Sequence, residues 1–372
     1  MPYPSINNKQ IRVFPLASRK SRSDIHDIMV DPDAKPAALS AKDERVVNKL
    51  VDRVVAARRQ NATVMMAFGA HLVKNGCGLL VIRLMQQGWL THLATQGAGG
   101  IHDWELAYLG RTEEDVRANA ATGTFGSWDE TGKFINLAVL LGATMDMGYG
   151  ESLGAFIHNE SIKIPARQEL VQAINSELHG SIDRLPALSE LLSALDRYTL
   201  NSGLIAVEHP YNDYSIAGNA FRLRIPLTIH PGIGYDIIYN HPLANGAALG
   251  RGAHLDFKIY IHSMLNLNGG VFLSIGSAIM APQVFEKAFS CANNIRIHQF
   301  GKPPLKNFSI LVNDLQVSEW DWSRGEPPKN SPDYYLRFLK SFYRMGGDID
   351  YIALDNRVLL HNLYHRLKTI TV

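Results

Sequence analysis

Residues 89–108 read WLTHLATQGAGGIHDWELAY, and the order of residue types in this stretch decides the fold. An apolar run through Leu90, His92, Leu93 and Ala94 stops at Thr95 and Gln96. Gly97, Ala98, Gly99 and Gly100 follow, and a helical pattern opens with His102, Asp103, Trp104 and Glu105. A strand, a glycine turn and a helix in that order set backbone N–H groups and a helix N-terminus around an anion. The glycines are expected to supply positive φ and a close approach of ligand to backbone. Asp103 and Glu105, read as first-turn residues, also suit the helix dipole. The spacing is not GxGxxG, so the dinucleotide fingerprint is absent.

The same order recurs on either side. A buried strand at 62–68 (ATVMMAF) precedes the turn Gly69-Ala70-His71 and a helix over 72–87. Downstream, a strand at 225–229 runs into His230-Pro231-Gly232-Ile233-Gly234, and one at 271–274 enters Ile275-Gly276-Ser277-Ala278 before a helix around 283–292. Strands at 308–312 and 349–354 follow, the second leading through Asp355 into a helix over 357–367. Continuous apolar strands alternating with helices predict an α/β fold, a parallel sheet covered by helices on both faces. Ligands of such sheets sit at the carboxyl ends of the strands, where these turns cluster.

Outside this pattern, SAKDERVVNKLVDRVVAARRQ at 40–60 predicts a capped amphipathic helix, and 170–200 one or two helices broken at Pro186. The stretch 318–332 reads as a loop carrying Trp320 and Trp322. Residues 1–40, with Pro2, Pro4, Pro15, Pro32 and Pro36, read as an extended arm over the body or a neighbour. Its charge run, Arg19, Lys20 and Arg22, reads as a solvated face. Residues 41–372 are expected to form a single domain. In a chain of 372 residues, 46% hydrophobic and 19% charged content fits a globular protein, and a net charge of +2 argues against a nucleic-acid partner. Cys77 and Cys291 are too few for a disulfide framework and suit a reducing, cytoplasmic setting. No apolar run approaches the roughly 18 residues of a membrane span.

The chemistry-bearing side chains of the strand-end turns are His71, Gln96, His102, Asp103, His230, Asp236, His241 and Asp355. His102 or His230 suits a general acid or base. The plainer reading of each histidine is a helix cap or a loop hydrogen bond. His230, Asp236 and His241, joined by His102 and Asp103, raise a metal reading, although their spacing is not that of HExxH or a Cys/His module. Ser274 and Ser277 lack a GxSxG elbow.

TVMMAFGAHLVKNG (63–76), LATQGAGGIHD (93–103), IPLTIHPGIGYDIIYNH (225–241) and GGVFLSIGSA (269–278) together resemble the deoxyhypusine synthases, and more closely their bacterial synthase-like branch. The similarity runs from about residue 45 to 365. It implies a Rossmann-like subunit with NAD at the strand ends and a homotetramer of paired dimers. The implied reaction oxidises spermidine with NAD and transfers its aminobutyl group through an enzyme lysine imine. The chain departs from the family at Ala70-His71, His102-Asp103, Pro231 and Ile279-Met280, and the imine-lysine segment is replaced by 314–332. A lysine amine is required for that route, so the chain is not expected to be a genuine deoxyhypusine synthase.

The expectation is therefore an NAD-linked enzyme acting on a small, polyamine-like amine. His102, Asp103, His230 and His241 are its candidate catalytic residues. Gly69, His71, Gln96, Gly97, Ala98, Gly99, Gly100, Gly232, Gly234, Asp236, Gly276, Ser277 and Asp355 are its candidate cofactor residues. The alternatives are a non-catalytic ligand-binding or assembly protein on the same fold, and a metal-dependent enzyme using the strand-end His/Asp group. The arm and the Trp320–Trp322 loop are candidates for contacts between subunits.

Overall fold

The apolar runs become six strands of one parallel sheet. The computed structural model describes residues 3–316, 318 and 320–371, with the backbone alone at 323 and 337. Pro2 of the expected arm and Glu319 of the 318–332 loop lie outside the described residues. The strands are β1 (Val64–Phe68), β2 (His92–Gln96), β3 (Leu227–His230), β4 (Val271–Ile275), β5 (Ser309–Asn313) and β6 (Asp348–Ile352). Their order across the sheet is β3-β2-β1-β4-β5-β6, every pair parallel. This is the order of the Rossmann-type doubly wound sheet, in which the direction of winding reverses between β1 and β4. All five residues of β1 and of β4 are buried, so both faces are covered. The register sets Phe68, Ile275, Asn313 and Ile352 in one row, with Gln96 opposite His230, at the carboxyl edge.

Two compact units divide the chain: unit 1 is Met1–Asp27, Gly100–Arg222 and Pro231–Asp256, and unit 2 is Ile28–Gly99, Leu223–His230 and Phe257–Val372. Unit 2 holds the sheet. Its helix Ala41–Arg59 starts where expected, with the Ser40 hydroxyl accepting from Asp43 N at 3.1 Å. One apolar layer centres on Phe285, whose ring lies 4.5 Å from that of Phe272 and 5.4 Å from that of Phe342. Trp322, expected in a loop, is buried in this layer beside Tyr343. The helix expected over 72–87 is two helices, Ala70–Lys74 and Gly78–Gln86. The break comes at Gly76, which has φ of +74° and where a Cβ would collide with the Ile28 carbonyl.

The glycine block also differs from its reading. The helix begins at Gly97 and runs to Leu109, so these glycines form its first turn, and none of 97, 99 or 100 has positive φ. Gly99 is instead a packing glycine: a Cβ there would collide with the Thr95 hydroxyl at the end of β2. Asp103 and Glu105 therefore lie beyond the first turn, and the helix dipole does not explain them.

Unit 1 is mainly helical, through Asp129–Ala143, Tyr149–Asn159, Arg167–Leu178, Leu185–Tyr198 and Ile216–Arg222. Pro186 stands in the first turn of Leu185–Tyr198, where its missing N–H is harmless, and not at the break. Residues 3–27 pack onto this unit. Leu16 is fully buried, and Ser23–Asp24 pairs antiparallel with Arg111–Thr112. Arg19 is buried as well, whereas Lys20 and Arg22 are exposed, so the charge run is not one solvated face. Residues 28–40 belong to unit 2, where Val30 N donates to Gly76 O at 3.1 Å and Asn362 donates to Ala37 O at 2.9 Å. Among the described residues, no helix is long and apolar enough to cross a membrane.

Candidate functional site

In unit 2 the carboxyl edge at β1 and β4 is built from backbone. Gly69 N donates to Ile275 O at 3.0 Å, and a Cβ on Gly69 would collide with the Gly276 carbonyl oxygen. Gly276 turns the chain at φ of +58° and its N–H donates to Asn313 O at 2.8 Å. Asn313 and Asn356, both buried, tie β5 to the turn after β6. The Asn313 amide donates to Leu354 O at 3.1 Å and to Asn356 Oδ1 at 3.0 Å, and its oxygen accepts from Leu354 N at 3.1 Å. Neither asparagine stands out in the sequence, because an amide at a strand end has many plainer uses.

The predicted residues of this edge have defined places. Gln96 orients its amide to donate to Phe68 O at 3.2 Å and accept from Ala70 N at 3.0 Å, clamping the turn after β1. His71 is exposed on the first turn of Ala70–Lys74. The Ser277 hydroxyl accepts from Ala281 N at 3.2 Å, in the first turn of the helix Met280–His298. Asp355 caps Asn356–Leu367 through Arg357 N at 2.8 Å, and its ion pair with the Arg357 guanidinium holds the carboxyl below its usual range. Burial pushes the Cys77 thiol up to about 12, with Asp355 adding to the effect, so this thiol is inert.

His230, at the end of β3, heads a buried polar chain that the sequence does not announce. Its Nε2 lies 3.1 Å from Thr228 Oγ1. That hydroxyl is 3.2 Å from Nε2 of His92, whose Nδ1 is 2.9 Å from Ser263 Oγ. The Tyr260 ring stands perpendicular to both imidazoles, 5.2 Å from His92 and 5.6 Å from His230. Burial pushes His230 down to about 4 and His92 to about 3, so both rings are neutral at physiological pH.

The other candidates belong to unit 1. Asp103 is buried and caps the helix Ile216–Arg222, accepting from Ser215 Oγ at 2.7 Å, Ile216 N at 2.8 Å and Ala217 N at 2.9 Å. Burial raises its pKa, and these three bonds oppose the shift. His241 packs against Gly132, accepts from Leu243 N through Nδ1 at 3.0 Å and reaches Asp129 through Nε2 at 3.3 Å. Asp236 accepts from Gly232 N at 2.7 Å and closes the turn through Gly234, which has φ of +94°. His102 and Glu105 share a network that reasoning from sequence missed. Arg19 meets the Glu105 carboxylate with both terminal guanidinium nitrogens, at 2.7 and 2.9 Å. Thr131 donates to the same carboxylate at 2.9 Å and Thr112 at 2.6 Å, and Thr112 Oγ1 lies 2.7 Å from His102 Nδ1. Burial alone would raise the Glu105 pKa, but Arg19 holds it below the ordinary value. Gly100 precedes this network in the same helix. Among the described residues, no three His, Cys, Asp or Glu side chains are grouped to hold a metal ion.

No family model and no curated protein matches the chain. Among solved structures it is similar to AgrE in ternary complex with ornithine and NAD+, at 14% identity and a TM-score of 0.42, over 90% of this chain and 34% of that one. It is also similar to ArgZ, an arginine dihydrolase from the ornithine-ammonia cycle in cyanobacteria, at 12% identity and a TM-score of 0.42, over 88% and 33% of the two chains. A protein described as LOR/SDH from Methanococcus maripaludis S2 aligns at 11% identity and a TM-score of 0.41, over 91% and 74%. The chain thus spans about a third of AgrE and ArgZ, and likeness at this level assigns no role to any residue.

Proposed function

We propose that the protein is an NAD-linked enzyme acting on a small amine or amino acid, on a deoxyhypusine synthase-like fold that lacks the family's imine lysine. The observation that carries this reading is the reversal of strand order between β1 and β4, with glycines lining the edge where the winding reverses. The residues present fit a dinucleotide there. Gly69 and Gly276 leave backbone in place of side chains. Gly97, Ala98 and Gly99 supply first-turn N–H groups of a helix that opens directly after β2. With Gln96, His71, Ser277 and Asp355, these are the groups that would hold NAD in unit 2. Gly100, Gly232, Gly234 and Asp236 are its candidates in unit 1.

When bound, NAD supplies a hydride acceptor. The chain's part is proton handling. Oxidation of an amine carbon releases a proton, and a histidine that is neutral at physiological pH can take it. His230 would do so at Nδ1, its Nε2 being engaged by Thr228, and burial, which weakens its hold on the proton, would make it a relay that passes the proton on and not a site that keeps it. His102 is the corresponding candidate in unit 1, with Asp103 and His241 as supporting groups. The same reading expects a homotetramer of paired dimers.

Native mass spectrometry with added NAD, followed by absorbance of reduced nicotinamide across a panel led by spermidine and ornithine, tests this. Retention of NAD by a tetramer and turnover on one panel member are expected. A protein that ignores NAD at millimolar concentration sinks the reading.

A further inference from the structure

Proton counting around Glu105 fixes more than stability. The carboxylate takes two bonds from Arg19 and one each from Thr131 and Thr112. It is ionised and can only accept. A threonine hydroxyl has one proton, and that of Thr112 goes to Glu105 at 2.6 Å. Its oxygen is then left to accept from His102 Nδ1, 2.7 Å away, because an unprotonated Nδ1 would set two lone pairs against each other.

We propose that Thr112, Glu105 and Arg19 are positioning residues that hold neutral His102 as its Nδ1–H tautomer, making Nε2 the nitrogen through which this histidine exchanges protons. The proposal rests on the reading of His102 as a general acid or base. When Nε2 takes a proton, the ring becomes an imidazolium whose Nδ1–H still faces Thr112, with the Glu105 carboxylate behind it, so no other proton in the network has to move. An arrangement in which a carboxylate orients an imidazole and a hydroxyl carries the link is a means of setting tautomer at a site of proton transfer. It also gives a residue of the N-terminal segment, Arg19, a part in the chemistry of a helix 86 residues away.

The test is the imidazole 15N spectrum of the full-length protein labelled at histidine, taken where the ring is neutral. His102 is assigned by the signal lost in His102→Gln. Expected are a protonated Nδ1 and an unprotonated Nε2 for His102, a mixed or reversed state in Thr112→Val, and restoration in Thr112→Ser. An Nε2–H tautomer in the native protein overturns the proposal, as does a Thr112→Val spectrum identical to the native one. If Thr112→Val fails to fold, the native spectrum alone still decides. Unchanged turnover in His102→Gln overturns the acid–base assignment beneath the proposal and is distinguished from failure of the tautomer, which only the shifts report.

Discussion

Two sets of buried polar groups, one in each unit, are built in opposite ways. Along its sheet, unit 2 holds a neutral set: His92, Thr228, Asn313 and Asn356. Unit 1 buries charge, with the side chains of Arg19 and Glu105 at 2% and 1% exposure. A neutral hydrogen bond left half-made costs about 1–3 kcal/mol. An ion stranded in a core costs more, because its partner's attraction disappears while its desolvation remains. The units therefore carry different risks under mutation. A single polar tie along the sheet can be lost at modest cost, whereas the Arg19–Glu105 pair depends on both its members.

The largest effect should come from separating that pair. Arg19→Met strands Glu105 and is expected to cost about 3–5 kcal/mol. Arg19→Met with Glu105→Leu should recover most of the loss, and chemical denaturation of the four forms measures the coupling. A single variant as stable as the native protein would erase the contrast between the units. Next is Gly69→Ala in unit 2, where the added methyl meets the Gly276 backbone and not a flexible side chain. A loss of about 1–3 kcal/mol is expected, read by the melting midpoint. A methyl accepted without loss would mean that β1 and β4 do not approach so closely.

Acid sharpens the comparison further. His92 and His230 have folded values of about 3 and about 4 against an ordinary 6.5. Below pH 6.5 the unfolded chain takes up protons that folded unit 2 refuses, so stability falls from there toward about pH 4 for His230 and about pH 3 for His92, and is unaffected above. His209 adds the same window in unit 1. Glu105 has a lowered folded value, so its contribution is present above 4.5 and disappears as pH falls through the folded value. Hydrogen exchange against pH, read separately for the two units, should show His230→Gln flattening the slope in unit 2 alone. An unchanged slope would mean that His230 is not held neutral by burial. The smallest effect is expected at the exposed Arg22–Asp115 pair, where Arg22→Gln should leave the melting midpoint unmoved.

Unit 2 is the more legible of the two from sequence, for a physical reason. A strand buried on both faces needs an unbroken apolar run, and ATVMMAF or GGVFLSI can hardly be anything else. The runs locate each strand within about two residues. Glycine is harder to read. Gly276 does need positive φ, whereas Gly99 is required for packing against Thr95, and composition does not separate the two. The Arg19–Glu105 pair leaves no local trace, because its members are 86 residues apart and each has an ordinary reading alone, one as surface charge and one as a dipole partner. Asp103 likewise looks like a first-turn acid and caps a different helix, more than a hundred residues on. Of the candidate site, then, the sequence places the strand-end backbone, while the partners that set each side chain's state come from distant segments.

The pairing of β1 with β4 bears on synthesis of the chain. Val64–Phe68 leaves the ribosome early, but its neighbour Val271–Ile275 is made only after the whole of unit 1 has been synthesised. Until then one edge of the most apolar strand stands open, beside segments rich in the same residue types, and open edges of that kind invite pairing with other nascent chains. Production of the protein should accordingly be limited by what guards that edge during translation, with a holding chaperone or slower elongation raising the soluble yield more than any gain in the stability of the finished fold.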